Sequence, residues 1–254
     1  MKPRQLLIVT FILSAFCASA FAQTAVDEFE RGNAFYRDGK FDQATVAYET
    51  ILRQGLASPA VYFNLGNSYY RQGRTAQAIL AYERALRLRP NDPDIKHNLD
   101  LVNLKIVDRI EPLPELFFVE WLRTLSSYIP LHSTIWIVAF EWLVLFGSLA
   151  ALYSVSSPNI LRLLRTLTIV ALITLIPSVI LLVTQIADSR SHNDAVVTAS
   201  TTTAKSSPDA QSLDAFVIHE GLKVKLSDAV GDWVKIVLAD GKVGWIRSQD
   251  CERI

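Results

Sequence analysis

Asparagine, tyrosine and arginine recur together at a fixed interval: Asn33 with Asn67, Tyr36 with Tyr70, and Arg37 with Arg71, each pair 34 residues apart. Carboxamide and guanidinium groups donate hydrogen bonds to peptide carbonyls and carboxylates, and aromatic stems supply apolar contact area. That is equipment for holding a peptide. Equipment for breaking bonds is missing. His97, His132, His192 and His219 stand far apart, without the i, i+4 or short-loop spacing of metal ligands. Cys251 has neither a CxxC partner nor an adjacent histidine. The glycines form no phosphate-cradling loop, and no GxSxG elbow is present. No catalytic residue, metal or cofactor is expected, and the chain reads as a non-enzyme. One more group stands out: Glu141 is the single charge in a long apolar run. An acid in hydrocarbon costs roughly 2.5–3.5 kcal/mol on insertion scales, so it is a candidate for pairing with another helix or for a bundle-facing position.

The totals exclude several classes. The chain has 254 residues, 25 basic and 25 acidic, and half of it is hydrophobic. A nucleic-acid binder needs a concentrated basic face, and an acidic disordered chain lacks apolar content. Two cysteines cannot build a disulfide scaffold. Residues 1–22 carry a basic head (Lys2, Arg4), an apolar run from Leu6 to Ala15 and the small-x-small sequence Ala20-Phe21-Ala22. This reads as a secretory signal peptide, with an uncleaved anchor as the rival reading. Phe16 before Cys17 argues against lipidation, and processing would leave Cys251 as the only cysteine.

From Ala25 to Leu88 the chain repeats itself. Gly32, Asn33, Tyr36, Arg37, Gly39, Gln43, Ala44, Ala47, Tyr48, Glu49, Leu52 and Arg53 all recur 34 residues later. Small residues (Gly32, Gly66, Ala44, Ala78) allow close approach of helices, and Phe35, Tyr69, Tyr48 and Tyr82 fill the space between. The pattern predicts helices near Val26–Arg37, Phe41–Arg53, Pro59–Arg71, Thr75–Leu88 and Asp94–Lys105, where Asn98 and Leu99 echo Asn64 and Leu65. With Tyr62, Leu65, Gly66, Tyr69, Ala78, Tyr82, Ala85 and Pro90 in place, this stretch resembles the tetratricopeptide repeat, an α-solenoid. The resemblance implies a repeat domain over 23–105 with a concave partner-binding groove. Its lining would be Val26, Phe29, Asn33, Tyr36, Arg37, Ala60, Phe63, Asn67, Tyr70 and Arg71, with Asn64 and Asn98 alongside. Repeats that clamp acidic C-termini use asparagines at places matched by Asn33 and Asn64. They also need lysines where this chain has Phe29 and His97, so terminal-carboxylate capture is not expected, whereas peptide or helix binding is. The alternative is that these side chains only pack between helices.

Residues 106–132 mix Pro112, Pro114 and Pro130 with Phe117, Phe118, Trp121 and Tyr128. They suit a membrane-interfacial stretch, or a linker packing on the repeats. Two apolar runs follow, 133–155 and 167–187, each long enough to cross a bilayer. Arg162 and Arg165 mark 156–166 as a cytoplasmic loop by the positive-inside rule, which puts both flanks outside the cytoplasm. Pro177 is expected to kink the second span.

Beyond the spans, Ala195–Ser200, Leu222–Leu226, Trp233–Leu238 and Lys242–Arg247 read as strands, the last two joined at Asp240-Gly241. With Gly244-Trp245 and Ile246, residues 194–254 are similar to bacterial SH3-like domains, which implies a small all-β barrel presenting Trp233 and Trp245 at its surface. The early part departs from that family, since Thr202–Ser207 lacks its asparagine-arginine turn. The order of segments, a multidomain chain of solenoid, two transmembrane helices and SH3-like barrel, resembles the BatE proteins of bacterial aerotolerance operons. That resemblance implies an inner-membrane adaptor with both folded domains periplasmic. Its partners would be periplasmic peptides or helices, with von Willebrand factor A-domain membrane proteins among the candidates, and it would work alongside a MoxR-type ATPase. A second reading is an envelope sensor whose SH3-like domain binds peptidoglycan or its stem peptides.

Overall fold

The computed structural model describes residues 24–254 apart from 112, 115, 116, 191 and 192, and apart from the side chains of 117–120, 123, 127 and 188–190. The expected signal peptide, with Cys17, lies outside the described residues, as do Pro112, His192 and the side chains of Phe117 and Phe118. The chain forms two compact units: residues up to 112 together with 193–254, and Leu113–His192.

The first unit begins with five helices: α1 (24–37), α2 (Phe41–Arg53), α3 (Pro59–Arg71), α4 (Thr75–Leu88) and α5 (Pro93–Asn103). Each agrees with the sequence expectation within two residues. Ser58 caps α3 by accepting a hydrogen bond from Val61 N at 3.2 Å, with Pro59 as the first helical residue. Asp92 and Pro93 do the same for α5, where Asp92 accepts from the Asp94 and Ile95 amides. Gly39 and Gly73 hold φ of +75° and +77° between the paired helices, a region costly for other residues. Between helices, the ring of Tyr48 lies on Gly32 and that of Tyr82 on Gly66. A Cβ at either glycine would come within 2.7 Å of that ring. The core closes around Tyr48, Tyr82, Ile51, Leu65, Ile79 and Leu99, all buried.

Seven strands follow: β1 (Asp194–Val197), β2 (Thr201–Lys205), β3 (Asp214–His219), β4 (Lys223–Val230), β5 (Trp233–Val237), β6 (Val243–Arg247) and β7 (Cys251–Arg253). They form one sheet in the order β3-β2-β6-β5-β4-β1-β7, every pairing antiparallel. Two expectations are corrected here. The sheet is open, since among the described residues no pairing joins β3 to β7, so it is not a closed barrel. Trp233 and Trp245, expected on the surface, are each only 9% exposed. Lys235 and Arg247 lie over them, the Arg247 guanidinium 4.1 Å from the Trp233 ring centre. Strands β2, β3 and β7 were not foreseen: threonine-rich β2 and three-residue β7 carry little alternation, and β3 reads as an unbroken apolar run, Ala215–Ile218.

The sheet has its own core around Val197, Ile218, Ile236 and Ile246, and it also contributes to that of the solenoid. Val196 of β1 packs into the helical cluster, as do Ile106 and Ile254. Gly221, at φ +86°, lies where a Cβ would meet Ile106 Cγ2 at 2.7 Å and Ile79 Cδ1 at 3.0 Å. Polar contacts ring this junction. Lys223 bonds Glu83 at 2.9 Å, and Arg84 reaches Glu252 at 2.8 Å and the Arg253 carbonyl at 2.6 Å. Arg87 donates to the Ile254 carbonyl. Burial works against the charge on Lys223, but Glu83 and then Asp194 outweigh it and hold the ammonium above its ordinary range. The connector after α5 joins in: Asp108 accepts from the His219 backbone amide at 2.6 Å and contacts His219 Nδ1 at 2.9 Å. Ile110 packs against the sheet. The stretch 106–110 therefore packs within the repeat-and-sheet unit, and the interfacial reading does not describe it.

The second unit contains α6 (Phe117–Tyr128), α7 (Leu131–Ser154) and α8 (Pro158–Arg190). The expected 156–166 loop is corrected: helix resumes at Pro158, a residue suited to a first turn, so Arg162 and Arg165 stand on α8. Both α7 and Pro158–Ala187 are long and apolar enough to span a membrane. They meet along a 4-3 stripe. Thr134, Val138, Leu145 and Ser148 of α7 are buried and Glu141 half-buried, while Ala171, Leu175 and Gln185 of α8 are buried with Ser178 half-buried. Apolar side chains point away from that seam: Trp136 is 73% and Leu143 70% exposed.

Gly66→Ala is expected to destabilise the chain by about 1–3 kcal/mol, because Tyr82 has no room to retreat. Thermal melting of the full chain in detergent checks this; an unchanged melting temperature would contradict the close packing.

Candidate partner-binding groove

First helices α1, α3 and α5 place the expected groove residues in register, one repeat apart. Phe29, Asn33, Tyr36, Phe63, Asn64, Asn67, Tyr70 and Asn98 are half-buried, and Arg37 and Arg71 are exposed. The asparagines do more than line it. Asn33 Oδ1 accepts from Tyr48 Oη at 2.8 Å and from Asn64 Nδ2 at 3.0 Å. One repeat on, Asn67 Oδ1 accepts from Tyr82 Oη at 2.6 Å and from Asn98 Nδ2 at 2.9 Å. Each bond set ties a second helix to its own first helix, and that helix to the next. The Asn33 and Asn67 oxygens are thus engaged, and both residues keep their Nδ2 groups as donors to a ligand.

The aromatics follow the same period. Phe29 lies against Tyr48 and Phe63 against Tyr82, both at 5.9 Å between ring centres. Tyr36 meets Phe41 edge-on at 5.3 Å, and the Arg71 guanidinium lies 4.5 Å from the Phe41 centre. Lys105, not singled out by sequence, sits 3.9 Å from the Tyr70 centre. Its signal was available: it stands 34 residues after Arg71. Leu101 and Leu104 occupy the α5 places of Asn67 and Tyr70, and they are 41% and 68% exposed.

On the other side of the helices, a cavity of about 400 Å³ between α2 and α4 has Leu52, Leu65 and Leu80 in its lining, with Arg84 and Glu252 on the wall. Tyr69 there donates to Glu49 and carries Arg74 on its ring at 4.5 Å. These polar groups are engaged with one another, which leaves the asparagine face as the candidate surface.

The remaining sequence candidates lie elsewhere. Glu141 accepts from Ser178 Oγ at 3.1 Å, so it pairs within the helical hairpin. Ser148 and Thr168 make a second polar contact at 2.8 Å, and Gln185 donates to the Ile129 carbonyl at 2.8 Å. Cys251 is half-buried, and burial raises its thiol to about 11, against nucleophilic use. Among the described residues, no cluster of histidine, cysteine or acidic side chains is arranged to hold a metal.

Residues 29–93 match the tetratricopeptide repeat family model. Among solved structures, the chain is similar to the first TPR domain of Spaghetti (RPAP3) bound to the HSP90 peptide SRMEEVD. Identity is 19%, covering 32% of this chain and 92% of that one, with a TM-score of 0.20. No curated protein matches the chain. The repeats are therefore tetratricopeptide-like helical pairs, a class of protein-interaction module rather than of enzymes.

Two outcomes are expected. Asn67→Asp keeps the accepting oxygen and should melt near the parent temperature, whereas Asn67→Leu orphans the Tyr82 hydroxyl and costs about 1–3 kcal/mol. Equal stability of both variants would remove the structural role of the carboxamide. Burial raises the Tyr48 phenol from 10.0 to about 12. Because the folded value is the higher one, the stability it brings is present below pH 10 and lost as pH rises through 12. Ultraviolet phenolate titration of the chain against Tyr48→Phe checks this; ionisation of Tyr48 near 10 would contradict it.

Proposed function

We propose that the chain is a membrane-anchored adaptor, with repeats that hold a protein partner and a helical hairpin that fixes them at the bilayer. The observation that carries this is the asymmetry of the repeat domain. The sheet packs against α4, through Val196 and the Arg84 and Lys223 contacts, while the asparagine face keeps its donors and aromatics accessible. Support for the membrane arrangement is topological. Two crossings return the chain to its starting side, as the packing of the sheet on the repeats requires. Arg162 and Arg165 near the hairpin tip favour a cytoplasmic tip and hence periplasmic folded segments. Segment order supports a place beside A-domain membrane proteins and a MoxR-type ATPase, in a BatE-like role. Burial of Trp233 and Trp245 gives no support to a peptidoglycan-binding surface on the sheet.

Tyr36→Ala/Tyr70→Ala should reduce partner recovery from solubilised membranes at least about fivefold without unfolding the chain; undiminished recovery would remove the groove from the proposal. Single cysteines at Leu104 and Val243 should both react with an impermeant maleimide in spheroplasts. Protection of both would reverse the orientation, and protection of one would break the shared-side arrangement.

A further inference from the structure

The inference rests on the groove reading above and names the chemistry of the segment it receives. Arg37 ends α1, Arg71 ends α3, and Lys105 lies in the turn after α5, each 34 residues from the next. All three are exposed, and among the described residues none forms an ion pair. The nearby Asp38 is engaged by Lys40 at 3.2 Å. Arg71 and Lys105 are stacked on Phe41 and Tyr70, which restricts their motion before any partner arrives. Beside this cationic row the Asn33 and Asn67 oxygens already accept from Tyr48, Asn64, Tyr82 and Asn98. Donors and positive charge remain, and a ligand must bring acceptors and negative charge.

The spacing says more. Direct Asn33–Asn64 and Asn67–Asn98 bonds hold successive first helices in contact, so the row advances by a helix-packing distance, about 8–10 Å. A polyproline II segment rises about 3.1 Å per residue with three residues per turn, so one step of the row spans about one turn and returns a side chain to the same face. We propose that the groove receives an acidic segment of its partner in the polyproline II conformation, with a side-chain carboxylate at every third residue. Apolar side chains of the segment rest on Leu101 and Leu104 at the α5 end. These positions differ from the lysine places of a terminal-carboxylate clamp, and a free C-terminus is not required.

The test uses the full chain in nanodiscs of zwitterionic lipid and fluorescence anisotropy with three labelled peptides. One carries Glu at every third residue, one has the same composition with its Glu residues grouped at one end, and one carries Lys at every third residue. The spaced acidic peptide should bind about tenfold more tightly than the other two, and more weakly as salt rises. Arg37→Gln/Arg71→Gln/Lys105→Gln should abolish that preference while leaving circular dichroism and melting unchanged; single variants, each expected to lose part of the preference, replace the triple one should it unfold. Equal or tighter binding of the lysine peptide, a preference kept in these variants, or no binding of the spaced acidic peptide overturns the proposal. Binding of all three peptides alike, lost in Leu101→Glu, would overturn the acidic preference and leave the groove itself intact.

Discussion

Burying a tyrosine ring against a glycine, with its hydroxyl bonded to an asparagine oxygen, is the interaction on which this solenoid depends. Tyr48 on Gly32 and Tyr82 on Gly66 bring paired helices closer than any side chain at those glycines would allow. A buried phenol must keep a hydrogen-bond partner, because an orphaned hydroxyl costs about 1–3 kcal/mol. Asn33 and Asn67 supply it and use the same oxygens to accept from Asn64 and Asn98 of the next repeat. One carboxamide thus settles packing within a repeat, stacking between repeats and the donor character of the groove.

Fusion of the sheet to α4 gives the second constraint. A short array cannot bury a continuous core easily, and among the described residues of this unit no second α-helix follows α5. Val196, Ile254 and Ile106 add apolar cover, and the guanidinium groups of Arg84 and Arg87 occupy carbonyls of Arg253 and Ile254 at the exposed margin of the sheet. An occupied sheet edge is also less available for pairing with another chain. Repeats and sheet consequently form one compact unit, although the two long apolar helices separate them in sequence.

Within the apolar helices several polar groups pair with one another, while Glu141 Oε2 and Gln185 Oε1 are buried without a hydrogen-bond partner among the described residues. Glu141 with Ser178 and Ser148 with Thr168 pair α7 to α8 along a 4-3 stripe. Hydrogen bonds of this kind are typically worth under about 2 kcal/mol in a bilayer, but they fix register where apolar contacts are interchangeable. Glu141, read from sequence as a candidate for helix pairing or a bundle-facing position, bonds Ser178 of the adjacent helix through Oε1.

What the sequence determined by itself was the local structure: a 34-residue period fixes helix positions, their glycine turns and the groove side of each first helix, because those depend on nearest-neighbour geometry. The existence of two long apolar helices was equally legible, since hydropathy over about 20 residues suffices, although α8 begins at Pro158 rather than at 167. Tertiary structure alone decided that the sheet stays open, that Trp233 and Trp245 are buried beneath cations, and that Asp108 meets His219. It also decided that Asn33 and Asn67 spend their oxygens on neighbouring helices. Those outcomes turn on contacts between residues distant along the chain, and no spacing rule records which of many compatible surfaces will meet.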